Sequence, residues 1–489
     1  GSGVVPLVVS ARGVGALRGQ AERLGALVGA VPEVCGVGEV GFSLVASRSV
    51  FEHRAVVLAG DRGGAVDGLG VLAAGGSGGG VIAGVAGPVG GRVFVFPGQG
   101  SQWVGMAVEL LDSSPVFAER LAECEGALSP FVDWSLVGVL RGLPGAPSLD
   151  RVDVVQPALF AVMVSLAAVW ASVGVVPDAV VGHSQGEIAA ACVAGALTLE
   201  DAARVVTLRS RALGVLAGAG GMVSVALPRE SVAARVEAWG GRISIAAVNG
   251  PSSVVVSGEP AALEELLASC EADGVRVRRV PVDYASHSVQ VERIRGELLE
   301  VLAGVVPRSV GVPFYSTVTG GPVDTASLDA GYWYANLRGT VELESVTRAL
   351  VADGFGVFVE VSPHPVLTMA LQETLDAAGA EGVVSGTLRR GEGGPARFLS
   401  SAAELFVRGV GVQWSAVFGS GERRLVDLPT YAFDRRRYWL EPVAGEGVPV
   451  GADPVEAAFW EAVEREDVRS LAAALDLDGL DPLVSLLPS

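Results

Sequence analysis

The sequence contains no lysine, and all 35 of its basic residues are arginine. A Walker A phosphate loop, a pyridoxal phosphate Schiff base and a Ser-Lys dyad each need a lysine amine, so all three are excluded. Acidic residues number 54, which gives a formal net charge of −19. That charge repels nucleic acids and anionic membrane surfaces, so we expect neither as a partner.

Cysteine and histidine are scarce, with four of each. The cysteines lie far apart, and neither a paired-cysteine nor a His-Glu-x-x-His pattern occurs, so no metal site and no bound cofactor are predicted. A disulfide framework is not expected in so long a chain, and no secretion signal is expected, which indicates a cytoplasmic protein with reduced thiols. The apolar run at 157–176 contains serines and ends at a glycine and a proline, which favours a buried helix over a membrane span.

The most informative motif is Gly-His-Ser-Gln-Gly at 182–186, which fits the G-x-S-x-G pattern of a nucleophile elbow. In this turn a serine occupies a strained bend between a strand and a helix, and small flanking residues let the backbone pass. Residues 178–181 predict the short strand that enters the turn, and residues 187–191 predict the helix that leaves it. Ser184 is therefore the predicted nucleophile.

A serine hydroxyl attacks efficiently only when a base takes its proton, so Ser184 needs a histidine. Neighbouring side chains point apart in an elbow, which argues against His183. His287 and His364 follow downstream, each at a predicted junction between a strand and a loop. The residues by themselves leave both open as the base, beside the alternative that either is a structural histidine.

The attack creates an oxyanion, which needs two N–H donors. One donor is predicted to be the backbone amide of Gln185, which directly follows the nucleophile. The second is predicted in the Gly-Gln-Gly turn at 98–100, because a glycine turn after the buried strand at 93–96 leaves free amides. The spacing of these glycines does not fit a dinucleotide-binding loop, and the chain has no lysine for a phosphate loop.

The pattern of helices and strands predicts an α/β protein. Residues 4–59 are typical of a small α/β unit, and the glycine-rich run 60–91 is expected to be a flexible connection with one short helix. Helices alternate with strands from 92 to about 215, and strands resume near 313 and end at 361, which predicts a mostly parallel sheet. Residues 220–284 contain the predicted order strand-helix-strand twice in succession, which predicts an inserted ferredoxin-like subdomain.

Three runs carry a family resemblance: Phe-Val-Phe-Pro-Gly-Gln-Gly-Ser-Gln at 94–102, Gly-His-Ser-Gln-Gly-Glu at 182–187 and Tyr-Ala-Ser-His at 284–287. The chain resembles the malonyl-CoA:acyl-carrier-protein transacylase family, and more closely the acyltransferase domains of modular type I polyketide synthases. Linker-like runs at 8–12 and 428–440 extend the likeness. The resemblance implies an α/β-hydrolase-like, parallel-sheet large subdomain and four segments: a ketosynthase-to-acyltransferase linker domain (1–90), the acyltransferase domain (91–390), a post-acyltransferase linker (391–441) and the truncated start of a reductive region (442–489).

The resemblance also implies roles for individual residues. Ser184 would be acylated, and His287 would be its base, oriented by a backbone carbonyl because the family dyad has no aspartate. Gln99 and Gln185 would be the oxyanion donors. Arg209 would grip the free carboxylate of a malonyl-type unit, since a planar guanidinium forms two parallel hydrogen bonds to a carboxylate. Acyltransferases that load monocarboxylic starters lack this arginine, so an extender unit is expected.

The likeness further predicts which extender is used. Tyr284 and Ser286 belong to the pattern associated with methylmalonyl-CoA, and malonyl-selective relatives carry His-Ala-Phe-His instead. Gln156, in the run 151–156, and Gln185 fit the methylmalonyl set as well. A phenylalanine at position 286 would fill the space beside the substrate's C2, whereas Ser286 leaves room for a methyl group.

The predicted activity is therefore transfer of methylmalonyl from methylmalonyl-CoA to the phosphopantetheine thiol of an acyl carrier protein, through an acyl ester on Ser184. Expected partners are that carrier protein and the ketosynthase and reductive domains of the same synthase, and the fragment is expected to be a monomer. Two alternatives are a serine hydrolase or thioesterase with the same elbow and a docking scaffold without activity. The hydrolase would not need Arg209, and the scaffold would not need the catalytic elements together.

Overall fold

The computed structural model describes residues 3–30, 36–419, 421, 424–434 and 453–477. The chain forms two compact units, residues 1–433 and 434–489. In chain order the strands are β1 (Val5–Ala11), β2 (His53–Ala59), β3 (Val81–Val85), β4 (Gly91–Phe96), β5 (Ala179–Gly182), β6 (Gly221–Val225), β7 (Ile243–Gly250), β8 (Ser253–Gly258), β9 (Val277–Val280), β10 (Phe314–Ser316), β11 (Gly321–Val323), β12 (Val341–Glu342), β13 (Phe355–Glu360) and β14 (Val383–Gly386).

The α-helices alternate with these strands over most of the first unit. They are α1 (Val14–Ala30), α2 (Val37–Ser47), α3 (Arg62–Ala73), α4 (Val108–Ser113), α5 (Pro115–Leu128), α6 (Leu136–Arg141), α7 (Val152–Ser172), α8 (Gly186–Ala194), α9 (Leu199–Leu213), α10 (Arg229–Val236), α11 (Pro260–Ala272), α12 (Arg295–Val301), α13 (Ala330–Arg338), α14 (Leu343–Ala352), α15 (Thr368–Ala377), α16 (Pro395–Phe406), α17 (Pro454–Glu464) and α18 (Val468–Ala474).

The central sheet has six strands in the order β11-β10-β5-β4-β13-β14. Strands β10, β5, β4, β13 and β14 are parallel, and β11 pairs antiparallel at one edge. All four residues of β5 are buried, as a strand covered by helices on both faces requires. The predicted mostly parallel α/β sheet is confirmed. The sheet extends one strand past the expected end at 361, because β14 is too short to give a periodic signal.

Helix α7 runs through the core beside this sheet. Among the described residues it is the one helix long and apolar enough to cross a membrane, and 89% of its apolar window is buried inside the protein. It packs on α5, α8 and α9, and the indole N–H of Trp170 donates to Thr387 Oγ1 at 2.9 Å. The buried helix predicted from the run 157–176 is confirmed, with earlier bounds.

The inserted subdomain has the predicted ferredoxin-like topology. Its sheet has the order β12-β7-β8-β6-β9, and β9, β6, β8 and β7 pair antiparallel. Helix α10 connects β6 to β7 and α11 connects β8 to β9, which is the βαββαβ pattern. The fifth strand, β12, comes from outside the insertion and pairs parallel to β7. This strand ties the subdomain to the chain segment that follows α13.

The helix expected in the glycine-rich run 60–91 is present, but the expectation of a flexible connection was wrong. It contains α3 and β3, which complete the sheet β1-β2-β3 and its helical cover. Helix α3 starts at Asp61, whose carboxylate accepts the N–H of Gly64 at 2.8 Å, and it buries Ala65 and Leu69. Glycines between the few apolar residues hide the helical periodicity, and tertiary burial stabilises the helix nevertheless.

Residues 424–433 run back along the N-terminal domain. The hydroxyl of Tyr431 accepts the backbone N–H of Arg12 at 2.9 Å, and Arg48 donates to two backbone carbonyls of the segment. The two segments predicted as linkers therefore pack on each other within the first unit. The linker-like residues 438–440 lie outside the described residues.

The second unit is helical where it is described. Over 454–474 the chain forms two helices, α17 and α18, and not one continuous helix. The break falls at Glu466, whose φ of 52° is in the left-handed region. A helix cannot continue through that backbone conformation. The sequence at 465–467 contains no proline or glycine that would predict the break.

Candidate active site

Ser184 lies at the sharp turn between β5 and α8, where its φ is 53°. The backbone is close on both sides of it. A Cβ on Gly182 would lie 2.1 Å from the backbone nitrogen of Glu187, and a Cβ on Gly186 would lie 2.0 Å from the carbonyl oxygen of Phe96. Neither distance is possible for a side chain, so both positions require glycine. The predicted strand-turn-helix elbow is present.

His287 is the histidine that contacts the serine. Its Nε2 lies 2.9 Å from Ser184 Oγ, and its Nδ1 lies 2.7 Å from the carbonyl oxygen of Gly339. A carbonyl only accepts, so Nδ1 carries the proton and the lone pair of Nε2 faces the serine hydroxyl. A backbone carbonyl thus orients the imidazole, in the arrangement that the resemblance implied.

The surroundings keep His287 uncharged. Burial lowers its pKa to about 3, and the positive charge of Arg209 contributes to that lowering. At neutral pH the imidazole is therefore a free base in hydrogen-bonding contact with the hydroxyl that it would deprotonate.

The other two candidate histidines have different partners. His183 points away from Ser184, as expected, and its Nε2 lies 2.8 Å from Asn249 Oδ1. His364 follows β13, where its Nδ1 accepts the backbone N–H of Arg390 at 3.2 Å. Of the three, only His287 has a hydrogen bond to Ser184 in the part of the chain that the structure describes.

The elbow and the loop after β4 lie side by side. A Cβ on Gly98 would lie 3.2 Å from His183 Nδ1, which shows how closely the loop approaches the elbow. Within the described residues, neither the backbone N–H of Gln99 nor that of Gln185 donates a hydrogen bond. The two amides predicted as oxyanion donors are therefore available for a ligand. The side-chain amide of Gln185 is buried and has no partner in the same ranges.

Arg209 lies on α9 and is fully buried. The helix starts at Thr198, whose hydroxyl accepts the N–H of Asp201 at 3.0 Å, as the capping pattern predicts. The guanidinium donates to Gln156 Oε1 at 3.1 Å, and its Nη2 is 3.4 Å from Ser184 Oγ.

Burial lowers the pKa of Arg209 to about 10, so the guanidinium is still charged at neutral pH. Its Nη2 also donates to Asn336 Oδ1 at 3.0 Å, and its Nε has no partner among the described residues. The acceptors that hold it are neutral oxygens. Within the described residues no carboxylate is bonded to this buried cation, and the binding role predicted for Arg209 remains a prediction.

Comparisons with known proteins identify the family. Residues 93–412 match the family model described as acyl transferase domain. The chain belongs to this family. Residues 456–489 match a second model, the polyketide synthase dimerisation element domain. This second match falls within the segment 442–489 that was expected to begin a reductive region.

The relatives of this acyltransferase are polyketide synthases. The chain is 56% identical over 485 residues to polyketide synthase GfsA of Streptomyces halstedii, covering 99% of this chain and 6% of that protein. The acyltransferase domain from module 8 of the salinomycin polyketide synthase is 59% identical with a TM-score of 0.82, covering 84% of this chain and 98% of that one. The acyltransferase domain of SpnD is 30% identical with a TM-score of 0.75, covering 85% of this chain and 98% of that one.

Two further positions of the acyltransferase were predicted to set its substrate. Tyr284 is buried, which raises its pKa to about 12, and its hydroxyl donates to Gln99 Oε1 at 2.9 Å. Ser286 is buried too, and its hydroxyl donates to Met222 Sδ at 3.7 Å, a contact within the limits for sulfur. A larger side chain at 286 would therefore meet Met222, on β6 of the inserted subdomain. The roles of both positions remain predictions.

Sequence reasoning missed three parts of the acyltransferase site. Gly339 supplies the carbonyl for His287, Asn336 contacts Arg209, and Glu187 is a buried carboxylate one turn after the nucleophile. Glu187 gave a signal, since it is a lone acid in an otherwise apolar helix start. Asn336 and Gly339 gave none, because a polar residue on a helix and a glycine after it are ordinary features.

Proposed function

We propose that this acyltransferase transfers a methylmalonyl unit from CoA to the phosphopantetheine thiol of an acyl carrier protein. Ser184 Oγ attacks the thioester carbonyl while His287 Nε2 takes its proton, and the oxyanion accepts hydrogen bonds from the amides of Gln99 and Gln185. The intermediate collapses, and the CoA thiol leaves with the proton from His287. The carrier thiol then gives its proton to His287 and attacks the acyl ester. The second intermediate collapses, and Ser184 Oγ leaves with the proton from His287.

The observation that carries this proposal is the buried guanidinium of Arg209 beside the nucleophile, to which no carboxylate is bonded among the described residues. An extender unit has a free carboxylate that ends close to the reacting carbonyl, and the guanidinium lies 3.4 Å from Ser184 Oγ. A thioesterase or esterase acting on monocarboxylic acyl groups has no use for a buried cation there, since desolvating it is costly. The site therefore favours a dicarboxylic acyl group over the hydrolase alternative.

A substituent on C2 is supported by two observations. The related SpnD domain, at 30% identity, is solved in a complex with 2-(pent-4-yn-1-yl)malonyl, a malonyl group substituted at C2. In this chain the small side chain of Ser286 meets Met222 through its hydroxyl, which leaves that wall without an aromatic ring. Methyl is the substituent that the Tyr-Ala-Ser-His run at 284–287 favours.

Intact-protein mass spectrometry separates the candidate functions. The chain is incubated with methylmalonyl-, malonyl- or propionyl-CoA, and an acyl carrier protein is added afterwards. We expect a methylmalonyl adduct that persists and then moves to the carrier. An adduct lost to water at the same rate with and without the carrier would indicate a hydrolase, and no adduct with any ester would indicate a scaffold.

We also propose that the chain associates with a second copy and with other domains of a synthase. It spans 6% of the length of GfsA, so its domain partners lie in the rest of such a protein. The dimerisation-element match at 456–489 supports self-association, whereas a monomer was expected.

Trp460 of α17 lies within this match and is 56% exposed, so it is the residue chosen for the test. Light scattering should give twice the chain mass for the protein and a lower mass for Trp460→Asp, whereas a monomer in both cases would contradict this proposal.

A further inference from the structure

Arg209 has a carboxylate near it, but a neutral side chain separates the two. Asn336 Oδ1 accepts from Arg209 Nη2 at 3.0 Å, and Asn336 Nδ2 donates to Glu187 Oε2 at 2.9 Å. The same Nδ2 donates to the carbonyl oxygen of Ser184 at 3.1 Å. Arg209 and Glu187 are 0% exposed and Asn336 is 2% exposed, so the arrangement excludes water.

Only a carboxamide satisfies both neighbours of position 336. Arg209 can only donate and the carboxylate of Glu187 can only accept, so the orientation of the Asn336 amide is fixed. An aspartate would bring an acceptor to Glu187 and to the carbonyl of Ser184, and an apolar residue would leave both charged groups short of a partner.

Glu187 is the acidic member of this arrangement. Its carboxylate accepts from the backbone N–H and the hydroxyl of Thr317 at 2.6 and 2.7 Å, from the hydroxyl of Tyr332 at 2.7 Å, and from Asn336. Burial raises the pKa of Glu187, and these hydrogen bonds oppose that rise. The backbone N–H of Thr317 and the Nδ2 of Asn336 can only donate, and both favour the charged carboxylate. The two hydroxyls each have a second acceptor, the carbonyl of Gly182 for Thr317 and Ser316 Oγ for Tyr332.

We propose that Asn336 is a positioning residue that sets the preference for dicarboxylic acyl groups. It holds Arg209 against Ser184 and, being uncharged, leaves the guanidinium free to pair with the carboxylate of the acyl group. Glu187 balances the charge of Arg209 from one side chain away, without competing for its N–H groups. This inference rests on the proposed function, since it takes the ligand of Arg209 to be an acyl carboxylate.

The decisive variant moves the carboxylate by one side chain. Glu187→Gln combined with Asn336→Asp keeps the net charge and the side-chain sizes, and places a carboxylate directly on Arg209. The new carboxamide at position 187 can still accept from Thr317 and donate to the side chain at position 336. We expect kcat/KM for methylmalonyl-CoA to fall on the order of 100-fold, mainly through KM, because the new ion pair competes with the substrate. The aspartate at position 336 also faces the carbonyl of Ser184, so propionyl-CoA should lose activity too, but roughly tenfold less than methylmalonyl-CoA, because this ester has no carboxylate for which the ion pair competes.

The single variant Glu187→Gln is the matched control, since it removes the charge without placing a competitor on Arg209. It should keep the ratio of methylmalonyl to propionyl rates within about 5-fold of the wild type. Equal losses for both esters in the double variant, at an unchanged melting temperature, would overturn the inference and leave Asn336 a structural residue.

A binding measurement keeps this inference separate from the proposed transfer. Free methylmalonate should raise the melting temperature of the wild type and of Glu187→Gln but not of the double variant, and propionate should raise none of them. If methylmalonate binds in this pattern and no ester acylates Ser184, the inference stands and the transfer reaction is wrong. If methylmalonate stabilises the double variant as well as the wild type, the inference is wrong.

Discussion

The loops that follow β9 and β13 each carry one histidine, and the protein holds the two rings in opposite ways. His287 donates from Nδ1 to the carbonyl of Gly339, which leaves Nε2 as an acceptor facing Ser184. His364 accepts the N–H of Arg390 at Nδ1, so its proton is on Nε2. The pKa of each is lowered by burial. What separates a base from a structural histidine here is the tautomer and the neighbour, because burial acts on both.

The first test removes each ring in turn. His287→Ala should slow acylation of Ser184 by roughly two to four orders of magnitude, the usual range for the loss of a general base. His364→Ala should change the rate by less than about 3-fold, since its partner is a backbone amide away from the nucleophile. Rapid-quench measurement of the acyl adduct gives both rates. The assignment is wrong if His364→Ala is the more damaging change.

An arginine lies near each of the two histidines, and the two arginines differ in burial: Arg209 is buried and Arg390 is exposed. Arg209→Ala should cost about 3–5 kcal/mol in transition-state stabilisation for methylmalonyl-CoA, because it strands a buried carboxylate. Propionyl-CoA should lose little. The matched control is Arg390→Ala beside His364, where the side chain is exposed and donates to the carbonyl of Gln102.

Steady-state rates with both esters measure this selectivity. Arg390→Ala should affect the two esters alike and only slightly. Equal losses for the two esters in Arg209→Ala would show that this arginine stabilises the fold and does not bind the substrate.

The loop of His287 also carries the predicted selectivity residues. Tyr284→His combined with Ser286→Phe should lower kcat/KM for methylmalonyl-CoA more than for malonyl-CoA, by about 1–3 kcal/mol at most, the range for one methyl group. The ring at 286 has to displace Met222, so a relaxed enzyme is expected and not a complete switch.

Competition between the two CoA esters measures the product ratio directly. If the double variant only damages the packing near His287, both esters slow alike. An unchanged ratio would place the selectivity elsewhere, at Gln185 or in the run 151–156.

The smallest expected effect is in the pH profile. With its pKa lowered to about 3, His287 stays a free base as the pH falls, so acylation should change less than about 3-fold between pH 7.5 and 5.5. A histidine with an ordinary pKa near 6.5 would lose roughly tenfold over that interval. A tenfold loss in the measured rate would therefore contradict the uncharged, buried base.

The lowered pKa of His287 also predicts how the free energy of unfolding depends on pH. Below pH ~6.5 the unfolded chain binds a proton at residue 287 and the folded chain does not, so the free energy of unfolding should fall as the pH drops from 6.5 towards 3. His287→Ala should show a weaker dependence in urea titrations over that range. An equal dependence in both proteins would mean that other groups control it.

Local patterns were sufficient for much of the fold and for part of the site. The elbow at 182–186 follows from glycines that the close backbone requires. Arg209 was assigned by the family resemblance, and the structure places it on α9, a helix that Thr198 caps. The inserted subdomain could be predicted because its strands and helices alternate and each has a clear apolar face. These features depend on neighbours in the sequence.

The parts that were missed depend on contacts between distant segments. Asn336 reaches the carbonyl of Ser184 across 152 positions of sequence, and Gly339 reaches His287 across 52. Residues 60–91 form a helix and a strand only because the N-terminal domain buries their few apolar side chains. The residue pattern alone left His287 and His364 both open, because it does not show which ring nitrogen meets an acceptor. The family resemblance assigned His287, and the structure shows its contact with Ser184.

The most direct test of the central claim is acylation of Ser184 itself. Intact mass and peptide mapping after incubation with methylmalonyl-CoA should place one methylmalonyl group on the peptide that contains Ser184, and Ser184→Ala should carry none. An adduct of undiminished yield in Ser184→Ala would contradict the account, because the acyl group would then sit on a residue other than the hydroxyl that His287 contacts.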